Sequence, residues 1–286
     1  MRDKIKKDGM KMINKVFNLK EADSLGFIPT LTTYVLDDPL EINRKRGAVL
    51  ICPGGAYAFC SPREAEPIAL NFNAAGYHAF VLDYSVAPHV FPDALCEASD
   101  SMRIIREHAE EWNVDKDKIA VCGFSAGGHL AASLATLWNT EKAVKCDDKM
   151  NKPNAAILCY PVLTSGEKAH RGSFENLLGE NKDNKEMLEY LSLENRVSKD
   201  TPPTFLWHTY TDDGVPVENS LMFADALRKN DVPFEMHIYP KGGHGLSLAN
   251  KEVCTRETIR PHVGTWAKLV CEWLDIVFNA EDFIVE

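Results

Sequence analysis

Short apolar segments alternate with amphipathic segments along most of the chain. Seven of them, five to seven residues long and rich in β-branched or aromatic side chains, predict strands at 30–36, 48–52, 78–84, 118–122, 155–160, 204–208 and 234–239. Helical spacing of apolar residues predicts helices at 64–75, 92–112, 128–135, 218–229 and 263–278. This alternation is typical of a mostly parallel sheet covered by helices on both faces, so the pattern predicts an α/β fold.

The alternation is interrupted once, by the polar stretch at 164–200. No linker, internal repeat or low-complexity segment divides the chain. We therefore expect one domain over 1–286, with 164–200 as a small cap insertion. Ligands of such sheets bind beyond the carboxyl ends of the strands, where a cap would lie.

Composition and charge exclude several classes of protein. The 45% hydrophobic and 26% charged residues are ordinary for a globular protein. The net charge of −10 comes without a basic block beyond the first dozen residues, so no nucleic-acid partner is expected. No run has the length to span a membrane, and the charged start at 1–7 leads into no apolar signal core. These features predict a cytoplasmic protein.

The eight cysteines do not have metal or redox spacing, because no C-x-x-C occurs. Cys52, Cys122 and Cys159 fall in predicted strands, and Cys271 falls on a predicted helix. We expect buried, reduced thiols of a cytosolic protein and no bound metal or cofactor.

The segment Gly123–Gly128 carries the most specific chemistry. It reads G-x-S-x-G directly after a predicted strand and directly before a helix. Such a turn exposes the serine hydroxyl at the edge of the sheet, which makes Ser125 the candidate nucleophile. The alternative is a plain glycine-rich turn between strand and helix.

A serine nucleophile needs a histidine base. His244 follows a predicted strand in the glycine-rich loop at 240–245, from which an imidazole reaches the nucleophile. His129 lies on the helix after Ser125 and is expected to point along it. His237 lies within a strand. His244 is therefore the candidate base, and a structural loop histidine is the alternative.

The acid that orients the base should lie between serine and histidine in the chain. Two candidates, Asp212 and Asp213, follow the strand at 204–208. His208, at the end of that strand, is expected to form structural hydrogen bonds.

The negative oxygen that develops during ester hydrolysis needs backbone N–H donors. The loop at 52–57, Cys-Pro-Gly-Gly-Ala-Tyr, follows the first buried strand and is the candidate for one half of this oxyanion hole. The amide of Ala126, directly after the nucleophile, is the candidate for the other half. The alternative for the loop is a simple Pro-Gly turn.

These motifs resemble those of the α/β-hydrolases, in the acetyl esterase/lipase group with hormone-sensitive-lipase-like features. The loop at 53–57 matches that group's His-Gly-Gly-Gly, with Pro and Ala at its first and last positions. The segment 83–88 resembles Tyr-Arg-Leu-Ala-Pro, 208–216 fits His-Gly-x-x-Asp-x-x-Val-Pro, and 243–245 matches the histidine loop. The resemblance covers about residues 45–278. Within the group, the chain is similar to bacterial acetylxylan and other carbohydrate esterases.

The resemblance implies an α/β-hydrolase fold, Asp212 as the acid, and the amides of Gly55 and Ala56 as oxyanion donors. It also implies a serine carboxylesterase that acts through an acyl-enzyme, with a small-molecule ester, such as an acetylated sugar, as substrate. The polar insertion favours a short acyl group, acetyl above all.

Two rival functions and two structural questions stay open at this point. A peptidase or amidase on the same fold is one rival, and a non-catalytic binding protein is the other. Tyr57 and Trp207 are interpreted as core aromatics, with a sugar-stacking surface as the alternative. Whether the chain forms a homo-oligomer is also open.

Overall fold

A computed structural model describes residues 12–38, 44–143 and 147–279 of the chain. Its strands are β1 (Val16–Asn18), β2 (Thr30–Tyr34), β3 (Arg46–Cys52), β4 (His78–Asp83), β5 (Val114–Phe124), β6 (Ala155–Cys159), β7 (Thr204–Thr209) and β8 (Phe234–Tyr239). Its α-helices are α1 (Glu66–Ala74), α2 (Asp93–Glu107), α3 (Ala126–Leu137), α4 (Arg171–Leu178), α5 (Lys185–Tyr190), α6 (Glu218–Lys229) and α7 (Trp266–Asn279).

The strands form a single sheet in the order β1-β2-β4-β3-β5-β6-β7-β8. Only the pairs β1–β2 and β2–β4 are antiparallel, and every pair from β4 to β8 is parallel. The predicted α/β fold with a mostly parallel sheet is confirmed. Because the parallel strands share a direction, the loops that follow β3, β5, β7 and β8 lie at one edge of the sheet.

Both faces of the sheet are buried. Leu50 and Val121 point into a core formed with α2, α3 and α6, whereas Val49 and Ile51 point into a second core formed with α1 and α7. All four side chains are completely buried. Each such burial stabilises the fold by about 1.5–3 kcal/mol, which explains why the central strands read as continuous apolar runs.

The insertion at 164–200 lies between β6 and β7 and contains α4 and α5. Five of its apolar side chains are buried in the core on the α3 side, and others pack half-buried against that core; the buried ones are Phe174, Leu177, Leu178, Leu191 and Leu193. The insertion is thus anchored to the main body through its apolar residues and exposes mainly polar ones.

Two predicted element bounds were wrong by at least four residues, and three elements were not predicted: β1, α4 and α5. The helix predicted over 92–112 ends at Glu107, and His108 and Trp112 stack on each other in the following turn, with ring centroids 4.5 Å apart. Strand β5 begins at Val114 rather than at 118, because Val114 pairs with Arg46 of β3. Strand β1 was not predicted, since its three residues gain their strand conformation from pairing with β2.

Within the described ranges, no helix has the length and apolar composition needed to cross a lipid bilayer. The seven cysteines in those ranges are free thiols, and Cys52, Cys122 and Cys159 are buried. The charged start of the chain at 1–7, part of the predicted domain, lies outside the described residues.

Candidate active site

Ser125 occupies the sharp turn between β5 and α3. Its backbone has φ 53° and ψ −118°, a conformation that costs a non-glycine residue about 1–3 kcal/mol. The Ser125 N–H donates to the Cys159 carbonyl at 3.0 Å, and the Ser125 carbonyl accepts from the Val162 N–H at 3.0 Å. These bonds hold the strained turn, which presents the hydroxyl at the carboxyl end of the sheet.

A chain of two hydrogen bonds joins the serine to a histidine and a carboxylate. The Ser125 Oγ lies 2.7 Å from His244 Nε2, and His244 Nδ1 lies 2.8 Å from Asp212 Oδ2. Because the carboxylate can only accept, Nδ1 carries the proton, and Nε2 is free to accept from the serine hydroxyl. The neighbouring Asp213 is exposed and takes no part in this series of hydrogen bonds.

Asp212 is held ionised by the groups that surround it. Burial opposes ionisation, but hydrogen bonds from His208 and His244 and from the Val215 N–H outweigh it and hold the pKa of Asp212 well below its usual value. Its Oδ1 accepts from the N–H groups of Gly214 and Val215 at 2.9 and 2.8 Å. The carboxylate is therefore fixed in position and negatively charged when it faces His244.

The loop after β3 has an unusual backbone. Ala56 and Tyr57 adopt φ 55° and 56°, in the left-handed region that non-glycine residues avoid. The Ala56 carbonyl accepts from Asn176 Nδ2 of α4 at 2.8 Å, and the Tyr57 carbonyl accepts from the Ala87 N–H at 2.8 Å. The insertion thus helps to hold this loop in shape.

The three amides predicted as oxyanion donors remain available. The N–H groups of Gly55 and Ala56 donate to no other residue in the described part of the chain. Ala126 is the first residue of α3, so its N–H has no acceptor within the helix. Unpaired N–H groups beside the nucleophile are what an oxyanion requires.

Comparison with known proteins assigns the family. Residues 38–227 match the family described as BD-FAE. The chain belongs to the BD-FAE family. The resemblance to α/β-hydrolase esterases and the predicted α/β-hydrolase fold are both confirmed.

Three relatives of this BD-FAE chain are informative. The solved structure of an acetyl ester-xyloside bifunctional hydrolase from Caldicellulosiruptor lactoaceticus has a TM-score of 0.83 and 39% identity, over 94% of this chain and 98% of that one. Endo-1,4-beta-xylanase B of Butyrivibrio fibrisolvens is 42% identical over 80% of this chain and 36% of its own length. Acetylxylan esterase of Xylanibacter ruminicola is 30% identical over 78% of this chain and 45% of its own length. The chain thus spans less than half the length of these two curated relatives.

Two further histidines, His129 and His208, have structural contacts in this BD-FAE member. His129 Nε2 donates to the Leu191 carbonyl at 3.0 Å, and burial lowers the pKa of His129 to about 4. His208 is fully buried and donates from Nε2 to the Val215 carbonyl at 2.9 Å. The structural hydrogen bonds predicted for His208 are confirmed, and neither imidazole is hydrogen-bonded to Ser125 Oγ.

Tyr57 and Trp207 do not form a sugar-stacking surface. Their exposed fractions are 2% and 0%, so neither ring can meet a sugar. The Tyr57 hydroxyl lies 2.9 Å from His129 Nδ1, and Trp207 stacks on Trp266.

Among the described residues, no group of three or more His, Cys, Asp or Glu side chains is suited to hold a metal ion.

Sequence reasoning missed the role of Glu64. In the sequence, Glu64 lies beside Arg63 at the start of the helix predicted over 64–75, a position that is typical of a solvated ion pair and, as the alternative, of a substrate contact. Helix α1 begins only at Glu66, and Glu64 ends a preceding 3₁₀ turn with an exposed fraction of 3%. Its partners are far away in the chain, so no local pattern signals its burial.

Gly127 lies where α3 touches the loop after β3. A Cβ at this position would lie 2.1 Å from the Cys52 carbonyl oxygen and 2.3 Å from that of Pro53. Backbone atoms cannot yield as side chains do, so Gly127→Ala is expected to lower the free energy of unfolding by about 3 kcal/mol or more in urea titrations.

Gly172→Ala in α4 is the matched control, because its Cβ would meet nothing closer than 3.6 Å. We expect it to leave stability unchanged or to raise it by up to about 1 kcal/mol. Equal stability of Gly127→Ala and wild type would contradict the close contact between the start of α3 and the loop after β3.

Proposed function

We propose that this BD-FAE member is a serine carboxylesterase that hydrolyses short-chain esters, acetate esters above all, through an acyl-enzyme. The observation that carries the proposal is the hydrogen-bonded chain from Ser125 through His244 to Asp212 on a strained strand-to-helix turn. The esterase names of the relatives support the same reaction class.

In the proposed reaction, Ser125 Oγ attacks the ester carbonyl carbon while His244 Nε2 takes the hydroxyl proton. The imidazolium that forms is stabilised by Asp212. It then gives the proton to the leaving alcohol as the C–O bond breaks, which leaves acylated Ser125. A water molecule, deprotonated by His244, attacks the acyl carbon. The bond from that carbon to Ser125 Oγ then breaks, Oγ takes the proton from His244, and the acid is released.

The negative oxygen of each tetrahedral intermediate would be bound by the amides of Gly55, Ala56 and Ala126. Their freedom from other acceptors supports this assignment. Donors of this kind lower the barrier because they are already oriented before charge develops.

The insertion supports a small acyl group. Five of its apolar side chains are buried in the core, and Met187, Leu188, Tyr190 and Val197 pack half-buried against it, so little apolar surface is left to line a long groove. The sugar part of the substrate rests on the relatives, whose names include acetylxylan esterase and acetyl ester-xyloside hydrolase. We therefore propose acetylated xylo-oligosaccharides as the substrate class.

The buried thiols support a reducing, cytoplasmic location.

Hydrolysis of p-nitrophenyl esters tests the acyl preference. We expect kcat/KM for the acetate to exceed that for the octanoate by at least about tenfold, because each poorly accommodated apolar segment forfeits binding energy of a kcal/mol or more. Initial rates at matched concentrations below KM give the ratio directly.

Equal rates on acetate and octanoate would contradict the short-acyl preference. Preferential cleavage of the corresponding anilide would instead favour an amidase. Release of acetate from acetylated xylo-oligosaccharides, followed by chromatography, then tests the proposed alcohol part.

A further inference from the structure

A second buried carboxylate lies beside the proposed triad. Glu64 is 3% exposed, and among the described residues it forms no ion pair with a lysine or arginine. Burying a carboxylate without a cation is costly unless its oxygens accept strong hydrogen bonds. The groups that supply those bonds indicate what the carboxylate is for.

Glu64 connects the loop after β3 to the loop after β8. Its Oε2 accepts from the Gly54 N–H at 2.8 Å, and its Oε1 accepts from the Tyr160 hydroxyl at 2.5 Å. The Tyr160 oxygen in turn accepts from the N–H of Ser247, three residues after the proposed base, at 2.9 Å. The Tyr160 ring packs edge-on against the His244 ring, with centroids 5.1 Å apart.

The carboxylate is also close to the nucleophile. A Cβ on Gly54 would lie 2.6 Å from Glu64 Oε2 and 3.1 Å from Ser125 Cβ, so Gly54 fills the space between the two side chains. Burial raises the pKa of Glu64 above its usual value, although the bonds from Tyr160 and Gly54 and the positive charges of a protonated His244 and of Arg63 oppose the rise.

Hydrogen-bond capacity explains why this residue is an acid rather than an amide. Both groups that face Glu64 donate. The Gly54 N–H can only donate, and the Tyr160 hydroxyl donates its hydrogen to Glu64 because its oxygen already accepts from the Ser247 N–H. A glutamine would place an NH₂ donor against one of these donors. One bond would be lost and the loops that it joins would be free to shift.

We propose that Glu64 is a positioning residue for the ester hydrolysis described above. It fixes the loop after β3, which carries two of the proposed oxyanion donors, through Gly54, and it fixes the proposed base His244 through Tyr160. Its negative charge also favours the imidazolium of His244, which exists only after proton transfer has begun. The inference rests on the proposed function, and it adds a residue that neither the triad nor the oxyanion hole contains.

Glu64→Gln tests the proposal, with Glu66→Gln, exposed and two residues away, as the matched control. We expect Glu64→Gln to lower kcat for p-nitrophenyl acetate by about 10- to 100-fold with KM unchanged, because a small misplacement of catalytic groups acts on the transition state. Phenylboronic acid, which forms a tetrahedral adduct with an active serine, should bind more weakly by a similar factor. Glu66→Gln should match the wild type in all three quantities.

Tyr160→Phe is the second variant, because it removes the two hydrogen bonds of the hydroxyl, to Glu64 and from the Ser247 N–H, and keeps the ring against His244. We expect a smaller fall in kcat with KM unchanged, and less than additive losses when both substitutions are combined. Titration of active serines with a p-nitrophenyl phosphonate corrects every rate for misfolded protein.

The outcomes separate the two proposals. A wild-type chain without esterase turnover would overturn the proposed function and this inference together. Wild-type turnover with an unchanged kcat in Glu64→Gln would overturn the inference alone, as would a loss of activity explained wholly by fewer titratable serines. If Glu64→Gln does not fold, an unchanged kcat in Tyr160→Phe would overturn the inference in its place.

Discussion

Ser125→Ala is expected to lower kcat/KM for p-nitrophenyl acetate by at least about 10⁴-fold, because no acyl-enzyme can form without the hydroxyl. The residual rate would come from the oxyanion donors and from substrate binding. The fold should persist, since the strained turn is held by backbone bonds to Cys159 and Val162 that alanine keeps. Progress curves at high enzyme concentration measure the residual rate.

Ser133→Ala, on the same helix and also buried, is the matched control and should retain wild-type activity. Covalent labelling by a phosphonate should occur in wild type and Ser133→Ala and be absent in Ser125→Ala. Substantial turnover by Ser125→Ala would contradict the acyl-enzyme mechanism, whereas equal, low rates in wild type and Ser125→Ala would favour the binding-protein interpretation.

Asp212→Asn is expected to lower kcat/KM at neutral pH by about 10³- to 10⁴-fold. The amide keeps the shape of the carboxylate but can turn its NH₂ group towards His244 Nδ1. Nδ1 would then accept rather than donate, and the proton would move to Nε2, where it blocks transfer from Ser125. The lost negative charge also leaves the imidazolium without its partner.

Asp213→Asn is the control for Asp212→Asn, because it makes the same chemical change one residue away on an exposed side chain. It should leave kcat/KM unchanged, and the reverse ranking of the two variants would reassign the acid.

The pH dependence of unfolding is a second test of Asp212. Since the folded pKa of Asp212 lies below the ordinary 3.8, its stabilising effect is complete above about pH 4 and decreases as the pH falls through the lower folded value. The stability gap between wild type and Asp212→Asn should therefore narrow in acid.

Much of the candidate site could be predicted because its signals are local. The turn that carries Ser125 is recognisable in six consecutive residues, with a strand before it and a helix after it. The choice between Asp212 and Asp213 is different, because both follow the same strand and only the direction of each side chain separates them. The role of Glu64 was not predicted, since its hydrogen bond to Tyr160 joins residues 96 positions apart.

The fold shows the same division. The buried strands and helices α6 and α7 follow from composition and periodicity within each segment. The short strand β1 depends on pairing with β2, and the early start of β5 depends on pairing with β3. The turn after α2 depends on the stacking of His108 on Trp112. Contacts of this kind arise from the tertiary structure and leave no periodic trace in the sequence.

The contact between Ser125 and His244 spans 119 positions of the chain, whereas that between His244 and Asp212 spans 32. A segment that folds locally can form the turn that carries Ser125, but it cannot form the contact with His244. That contact requires β8, which precedes His244, to have paired at the end of the sheet. Pairing over such separations must first overcome the entropy of loop closure, which makes it intrinsically slow. We therefore expect a newly synthesised or partly unfolded chain to carry an inert serine, and the proposed ester cleavage to start only once the parallel strands from β5 to β8 have assembled.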